Sequence, residues 1–242
     1  MPKFKSVIEK ERQDEFWDIC ESGTAQEIQE AIDSGLDVNY VYEYGSTALM
    51  IAARKNTPDA VKVLLDAGAD INAREQDGNT ALGWAATNIY PEIIDMLMQA
   101  GVNINTGRDD GITPLMVAAK KNNPEIVKTL ISYRANLNMK DTNGMTALLY
   151  AAMNNPDPEV VNALIAAGAE DLPDNSRRTA LMLACAWNTP EVVNALIEAG
   201  SDVRAIDNFG KNVFDCALMN DKIKNTEMLR RIGALIVRGG GQ

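Results

Sequence analysis

The 242 residues contain no histidine. The commonest general base and the commonest zinc ligand are therefore both missing, and Ser/His/Asp and Cys/His nucleophile pairs are excluded outright. Cysteine is scarce. Cys20, Cys185 and Cys216 lie far apart with no CxxC spacing, which suits reduced thiols used as small buried hydrophobes. No apolar run approaches the roughly 18–20 residues that cross a bilayer. The first ten residues are polar and lack the apolar core of a signal peptide, so a cytoplasmic chain is expected. No GxGxxG or P-loop occurs, and no loop alternates oxygen ligands as a calcium site requires. These absences lead to an expectation of no enzyme activity, no metal and no cofactor.

Positive charge is also in short supply. The formal net charge is −11, and residues 13–209 carry twenty-nine acidic against thirteen basic side chains. An acidic body repels phosphate backbones and anionic lipids, which disfavours nucleic acid and membranes. It mildly favours a partner with a basic or mixed-charge surface.

What the chain does have is a period of 33 residues. Glycine recurs at Gly45, Gly78, Gly111, Gly144 and Gly210, broken only by Arg177. Threonine follows at Thr47, Thr80, Thr113, Thr146 and Thr179, and leucine at Leu49, Leu82, Leu115, Leu148 and Leu181. Alanine holds Ala52, Ala85, Ala118, Ala151, Ala184 and Ala217, and asparagine holds Asn39, Asn72, Asn105 and Asn138. Behind an N-terminal extension, 1–11, these registers divide 12–242 into units 12–44, 45–77, 78–110, 111–143, 144–176, 177–209 and 210–242, read together as a single domain. The fifth unit gains a residue near Asn154-Asn155 and loses one before Arg177.

Each unit reads as helix, turn, helix, loop. The threonine hydroxyl caps the first helix, and small Ala-Ala pairs let neighbouring helices approach. The second helix opens with a capping residue, a proline and an acid, as in Thr57-Pro58-Asp59, Asn123-Pro124-Glu125, Asp157-Pro158-Glu159 and Thr189-Pro190-Glu191. It closes at Gly35, Gly68, Gly101, Gly168 or Gly200, where a left-handed cap wants no Cβ. Arg134 stands there in the fourth unit, at a cost of about 1 kcal/mol. The loop that follows predicts a finger-like hairpin whose asparagine ties the loop backbone together.

Gly-x-Thr-Ala-Leu, Ala-Ala, Pro-Glu-Ile/Val-Val and Leu-x-Ala-Gly-Ala-Asp-Ile/Val-Asn together resemble the ankyrin repeat family over about residues 12–220, most completely in 45–77 and 78–110. The resemblance implies an all-α repeat solenoid, with stacked helix pairs in a curved array and β-hairpin loops protruding along one edge. One departure runs throughout. The family's Thr-Pro-Leu-His ends here in Met50, Gly83, Met116, Leu149 and Met182, so packing must replace the histidine's hydrogen bond. The first unit reads as an N-terminal cap with Phe16, Trp17 and Ile28 inward and Gln13, Glu27 and Gln29 outward. The last reads as a C-terminal cap ending in a frayed tail, 238–242.

In that family the hairpin tips and the inner face of the first helices contact protein partners. Carried over by position, the candidate binding residues are Tyr42, Tyr44, Asp77, Asp109, Asp110 and Phe209 on tips, and Lys120, Lys121, Met153 and Trp187 at first-helix ends. The Tyr40, Tyr42 and Tyr44 cluster reads either as binding anchors or as cover for the cap's edge. Trp187 replaces a usually polar exposed residue, which suits an interface. Trp84 stands one residue inward and predicts core packing, with Gly83 beside it opening a hollow. Lys120-Lys121 and Arg54-Lys55 read as a solvated face, or as stripes with Asp77, Asp109 and Asp110 that set a partner's register. The function expected is a protein-interaction module, monomeric on its own. A permanent subunit of a complex, and a ligand-binding or catalytic pocket near Gly83-Trp84 and Tyr150, stand as alternatives.

Overall fold

Threonine at each repeat start decides where the first helix begins. Thr47, Thr80, Thr113, Thr146 and Thr179 each accept, on the side-chain hydroxyl, the backbone N–H three residues on, at 3.2–3.4 Å. Proline at the first position of the second helix supplies a helical φ and lacks only an N–H that would have gone unpaired. A computed structural model describes residues 2–121 and 123–238, with side chains from 11 to 237 apart from 122. The chain divides into two compact units, Met1–Asp110 and Gly111–Gln242, each described by itself.

The first unit holds α1 (Pro2–Ser22), α2 (Ala25–Asp33), α3 (Ala48–Lys55), α4 (Pro58–Asp66), α5 (Ala81–Ala85) and α6 (Pro91–Gln99). Residues 2–11 continue α1 without a break. First helices stack as α1, α3, α5, and second helices as α2, α4, α6. The second unit holds α7 (Pro114–Lys121), α8 (Pro124–Ser132), α9 (Ala147–Asn154), α10 (Pro158–Ala166), α11 (Ala180–Trp187), α12 (Pro190–Glu198), α13 (Val213–Leu218) and α14 (Glu227–Arg238). There α7, α9, α11 and α13 form one layer and α8, α10 and α12 the other, with α14 against α13. Both cores are built from the registers of the repeat: Ala52, Ala85, Ala118, Ala151, Ala184 and Ala217 are wholly buried, and Leu49, Leu115, Leu148 and Leu181 nearly so. Among the described residues no helix is long and apolar enough to cross a membrane.

Left-handed residues punctuate the repeats as the glycine register requires. Arg134 at φ 61° and Arg177 at φ 62° adopt the same region without a glycine. Met50, Met116, Met182 and Leu149 fill the space left by the missing histidine. Met116 goes further, its Sδ accepting the Thr113 N–H at 3.4 Å.

Several local expectations are corrected. No β-strand forms among the described residues; apart from one bridge, Ile206 to Asn212, each hairpin is a tight turn closed by a backbone bond such as Glu75 N–H to Asn79 O at 2.9 Å. Gln13 is buried rather than outward, and its main-chain carbonyl accepts the Tyr42 hydroxyl at 2.8 Å. Thr57 and Thr189 do not cap with their hydroxyls; the carboxamides of Asn56 and Asn188 take their N–H groups instead. Of the tail expected over 238–242, Arg238 ends α14 and 239–242 lie outside the described residues.

Candidate functional site

The hairpin tips gain rigidity from three sets of bonds. Asp141, Asp174 and Asp207 each turn Oδ1 inward to accept two N–H groups of their own turn, at 2.8–2.9 Å. Neighbouring tips are tied by backbone: Gln76 N–H to Tyr44 O at 2.8 Å and Asp109 N–H to Asp77 O at 2.9 Å in the first unit, Asn175 N–H to Asn143 O at 3.1 Å and Asn208 N–H to Ser176 O at 2.9 Å in the second. At the loop base Asn39 and Asn138 pair with the next repeat, Asn39 through Gly68 O and Asp70 N–H, Asn138 through the Glu170 side chain and N–H. The tying role read for this asparagine thus extends across the repeat boundary.

In the first unit Tyr42 is half-buried and edge-on to Trp17 and Tyr40, with ring centroids 4.7 and 4.9 Å away. Burial, reinforced by nearby Cys20, pushes its phenol above the usual tyrosine range. Tyr44 behaves oppositely. Its own φ of 61° and that of Gly45 at 82° swing the ring outward, leaving it 70% exposed. One member of the cluster therefore closes the cap and the other faces solvent. Tyr42, Tyr44 and Asp77 line a single open groove, to which Asp109 and Asp110 do not belong. Those carboxylates are held by arginines: Arg108 reaches Asp77 at 3.1 Å and Asp110 at 3.4 Å, and Arg74 reaches Asp109 at 3.1 Å. The pairs are partly exposed and add little stability, but they blunt the acidic stripe.

In the second unit α7, α9 and α11 bring their C-terminal ends side by side. Lys120 and exposed Lys121 end α7, half-buried Met153 sits in the last turn of α9, and Trp187 ends α11 with 58% of its surface free. Phe209, 76% exposed, stands apart on the last tip.

A pattern absent from the sequence reading recurs in both units. Trp84 lies half-buried on the surface rather than in the core: its indole N–H donates to Glu75 at 2.9 Å, and the Arg54 guanidinium covers its face at 4.5 Å. Two repeats on, the Tyr150 hydroxyl donates to Asp141 at 2.7 Å and the Lys120 ammonium lies 5.6 Å from the ring. Acid, aromatic and cation occupy the same registers each time, which is the signal that would have revealed the arrangement. Gly83 opens no hollow, because a Cβ there would collide with the Asn79 carboxamide. The three cysteines are buried, and burial raises every thiol, Cys20 to about 12.

Beneath these surfaces runs a second series of asparagines. Asn56 donates to Cys20 O and Gly23 O, Asn88 to Ala53 O and Asn56 O, Asn155 to Ala119 O, Asn188 to Ala152 O and Asn155 O, and Asn220 to Asn188 O, at 2.7–3.2 Å. Each is at least nine-tenths buried and binds the first-helix end of the preceding repeat.

Helix pairs stacked at a fixed period, tied tip to tip and end to end, define a helical repeat protein of the solenoid class. The family model for ankyrin repeats, in three copies, matches residues 16–108, 90–174 and 154–237, so the chain belongs to the ankyrin repeat family. No curated protein matches it.

Proposed function

We propose that the chain is a non-catalytic protein-interaction module whose partner docks on the hairpin tips and first-helix ends. Ankyrin repeats are in general protein–protein interaction modules, although fold alone does not name a partner. The observation that carries the reading is Trp187, a large aromatic left 58% exposed at the end of a rigid helix, beside the ends bearing Met153 and Lys120. An exposed ring of this kind buries much area for few frozen rotors, as binding anchors do. The acidic surface points to a partner with a basic or mixed-charge face and away from nucleic acid and membranes. The chain acts as a cytoplasmic monomer until it meets that partner.

Capture from a lysate of the source organism tests this. The wild-type chain retains a partner in stoichiometric amount, and Trp187→Ala releases it with an unchanged melting temperature. Retention by the variant would move the interface away from the α11 end. A second reading, a subunit held permanently in an assembly, draws on Ile206, Phe209, Leu218 and Met219, all exposed in the last two repeats. Under that reading the partner co-purifies through high salt, and the isolated chain self-associates.

A further inference from the structure

We propose that the groove of the first unit is a docking site for an arginine-bearing segment of a partner protein. The inference deepens the interaction reading by naming the chemistry of what binds, and it rests on a different part of the molecule from Trp187.

The groove encloses about 1050 Å³ between α1, the first hairpin and the second. That volume exceeds a single side chain and suits a short stretch of peptide. Its wall is aromatic. Tyr42 anchors the ring cluster through its bond to Gln13 O, which holds Trp17 and Tyr40 in edge contact while both keep part of their surface to solvent. Tyr44 stands free at the rim. Rings fixed in this way present their electron-rich faces without the entropy loss that a mobile side chain would suffer on binding.

The charge inside the groove is unbalanced. Glu75 is committed to the Trp84 indole and the Ser46 hydroxyl, and Asp77 to Arg108. Asp14, Asp18 and Glu43 also line it, all exposed and with no ion pair among the described residues. Among the described residues the single lining cation, Arg54, is drawn over Trp84. Asp14 and Asp18 stand one helical turn apart on α1, on either side of Trp17, so the two carboxylates repel each other in the free protein. A guanidinium laid between them relieves that repulsion, gains charged hydrogen bonds and stacks on the rings. Arginine fits better than lysine because its planar group can stack and pair at once. Phosphate groups and acidic peptides are rejected by the same charges.

The test is titration of the purified full chain with the peptide Gly-Arg-Gly-Arg-Gly, blocked at both ends, and with its lysine and glutamate analogues. Calorimetry reads affinity and amide NMR shifts read location, at about 150 mM salt so that non-specific attraction is screened. Saturable binding of the arginine peptide is expected, weaker for lysine and absent for glutamate, with shifts confined to residues 14–77. Asp14→Asn together with Asp18→Asn weakens binding about tenfold, equivalent to about 1.4 kcal/mol. Tyr44→Ala, at an exposed position, weakens it severalfold without lowering the melting temperature. Removing two charges elsewhere, Glu191→Gln with Glu198→Gln, leaves affinity within a factor of two. Equal losses from both double variants, shifts spread over the second unit, or no saturation would overturn the proposal. Trp187→Ala leaves peptide binding intact, so failure here and failure of the α11 interface are separately visible.

Discussion

The buried asparagines show how one side chain can do work that helix packing alone cannot. At the end of each first helix the last carbonyls lack intrahelical partners, and a buried unpaired carbonyl is costly. The Asn188 carboxamide satisfies Ala152 O and Asn155 O while its own oxygen takes the Thr189 N–H. Asn188→Ala is therefore expected to lower stability by about 3 kcal/mol, whereas Asn138→Ala, on the exposed loop base, costs about 1 kcal/mol. Urea unfolding of the two variants measures the difference, and equal effects would refute the distinction. The thiols make a second residue-level case. Burial raises their folded pKa above the ordinary value near 9, so the stability tied to the neutral thiol is complete below about pH 9 and is lost as pH rises, for Cys20 towards about 12. The melting temperature should fall progressively above about pH 9, and Cys185→Ala should flatten that fall. None of the three thiols should react with a disulfide reagent in the native protein at pH 8 on the timescale of an exposed cysteine; rapid reaction of one would contradict its burial.

Among the elements, the first helices are defined by their threonine caps more than by length. α5 has only five residues and carries Gly83, yet it starts and packs like its neighbours because Thr80 caps it and α3 lies against it. Thr146→Ala should cost about 1 kcal/mol and fray the start of α9, read as faster amide exchange at Leu149, while Thr146→Ser should restore most of the loss. Unchanged exchange at Leu149 would mean that packing alone sets that boundary. The second helices differ. At α4 and α12 the capping threonine makes no side-chain cap bond, and the residue before it, an asparagine of the buried series, accepts that threonine's own N–H. Helix positions were legible in the chain because threonine, proline and glycine act locally. The asparagine series was not, because its partners lie a full repeat away. The hairpins were overestimated: the turn residues and the family resemblance implied β-hairpins, but each loop closes on tight-turn bonds without forming strands.

For the whole molecule, charge is the dominant unused quantity. A net charge of −11 opposes compaction, and few of the ten ion pairs among the described residues are shielded from water. Raising ionic strength from about 10 to 150 mM should raise the melting temperature, because screening relieves repulsion more than it weakens exposed pairs. A fall would mean that the Arg108 and Arg74 contacts outweigh the net charge. The same acidity would attract the basic or mixed-charge partner proposed above, so affinity for it and stability should respond to salt in opposite directions.

The period, the threonine caps of the first helices and the buried alanine register were determined by the sequence alone, since each depends on backbone chemistry within a few residues or on identical copies placed side by side. The tertiary structure decided what depends on contacts between copies. It placed Tyr42 against α1 and turned Tyr44 outward, drew Trp84 out of the core to meet Glu75 and Arg54, and paired the acidic tips with arginines. Apart from the Tyr44 backbone and the Trp84–Glu75 bond, those outcomes turn on distances between residues about a repeat apart, and only packing sets such distances.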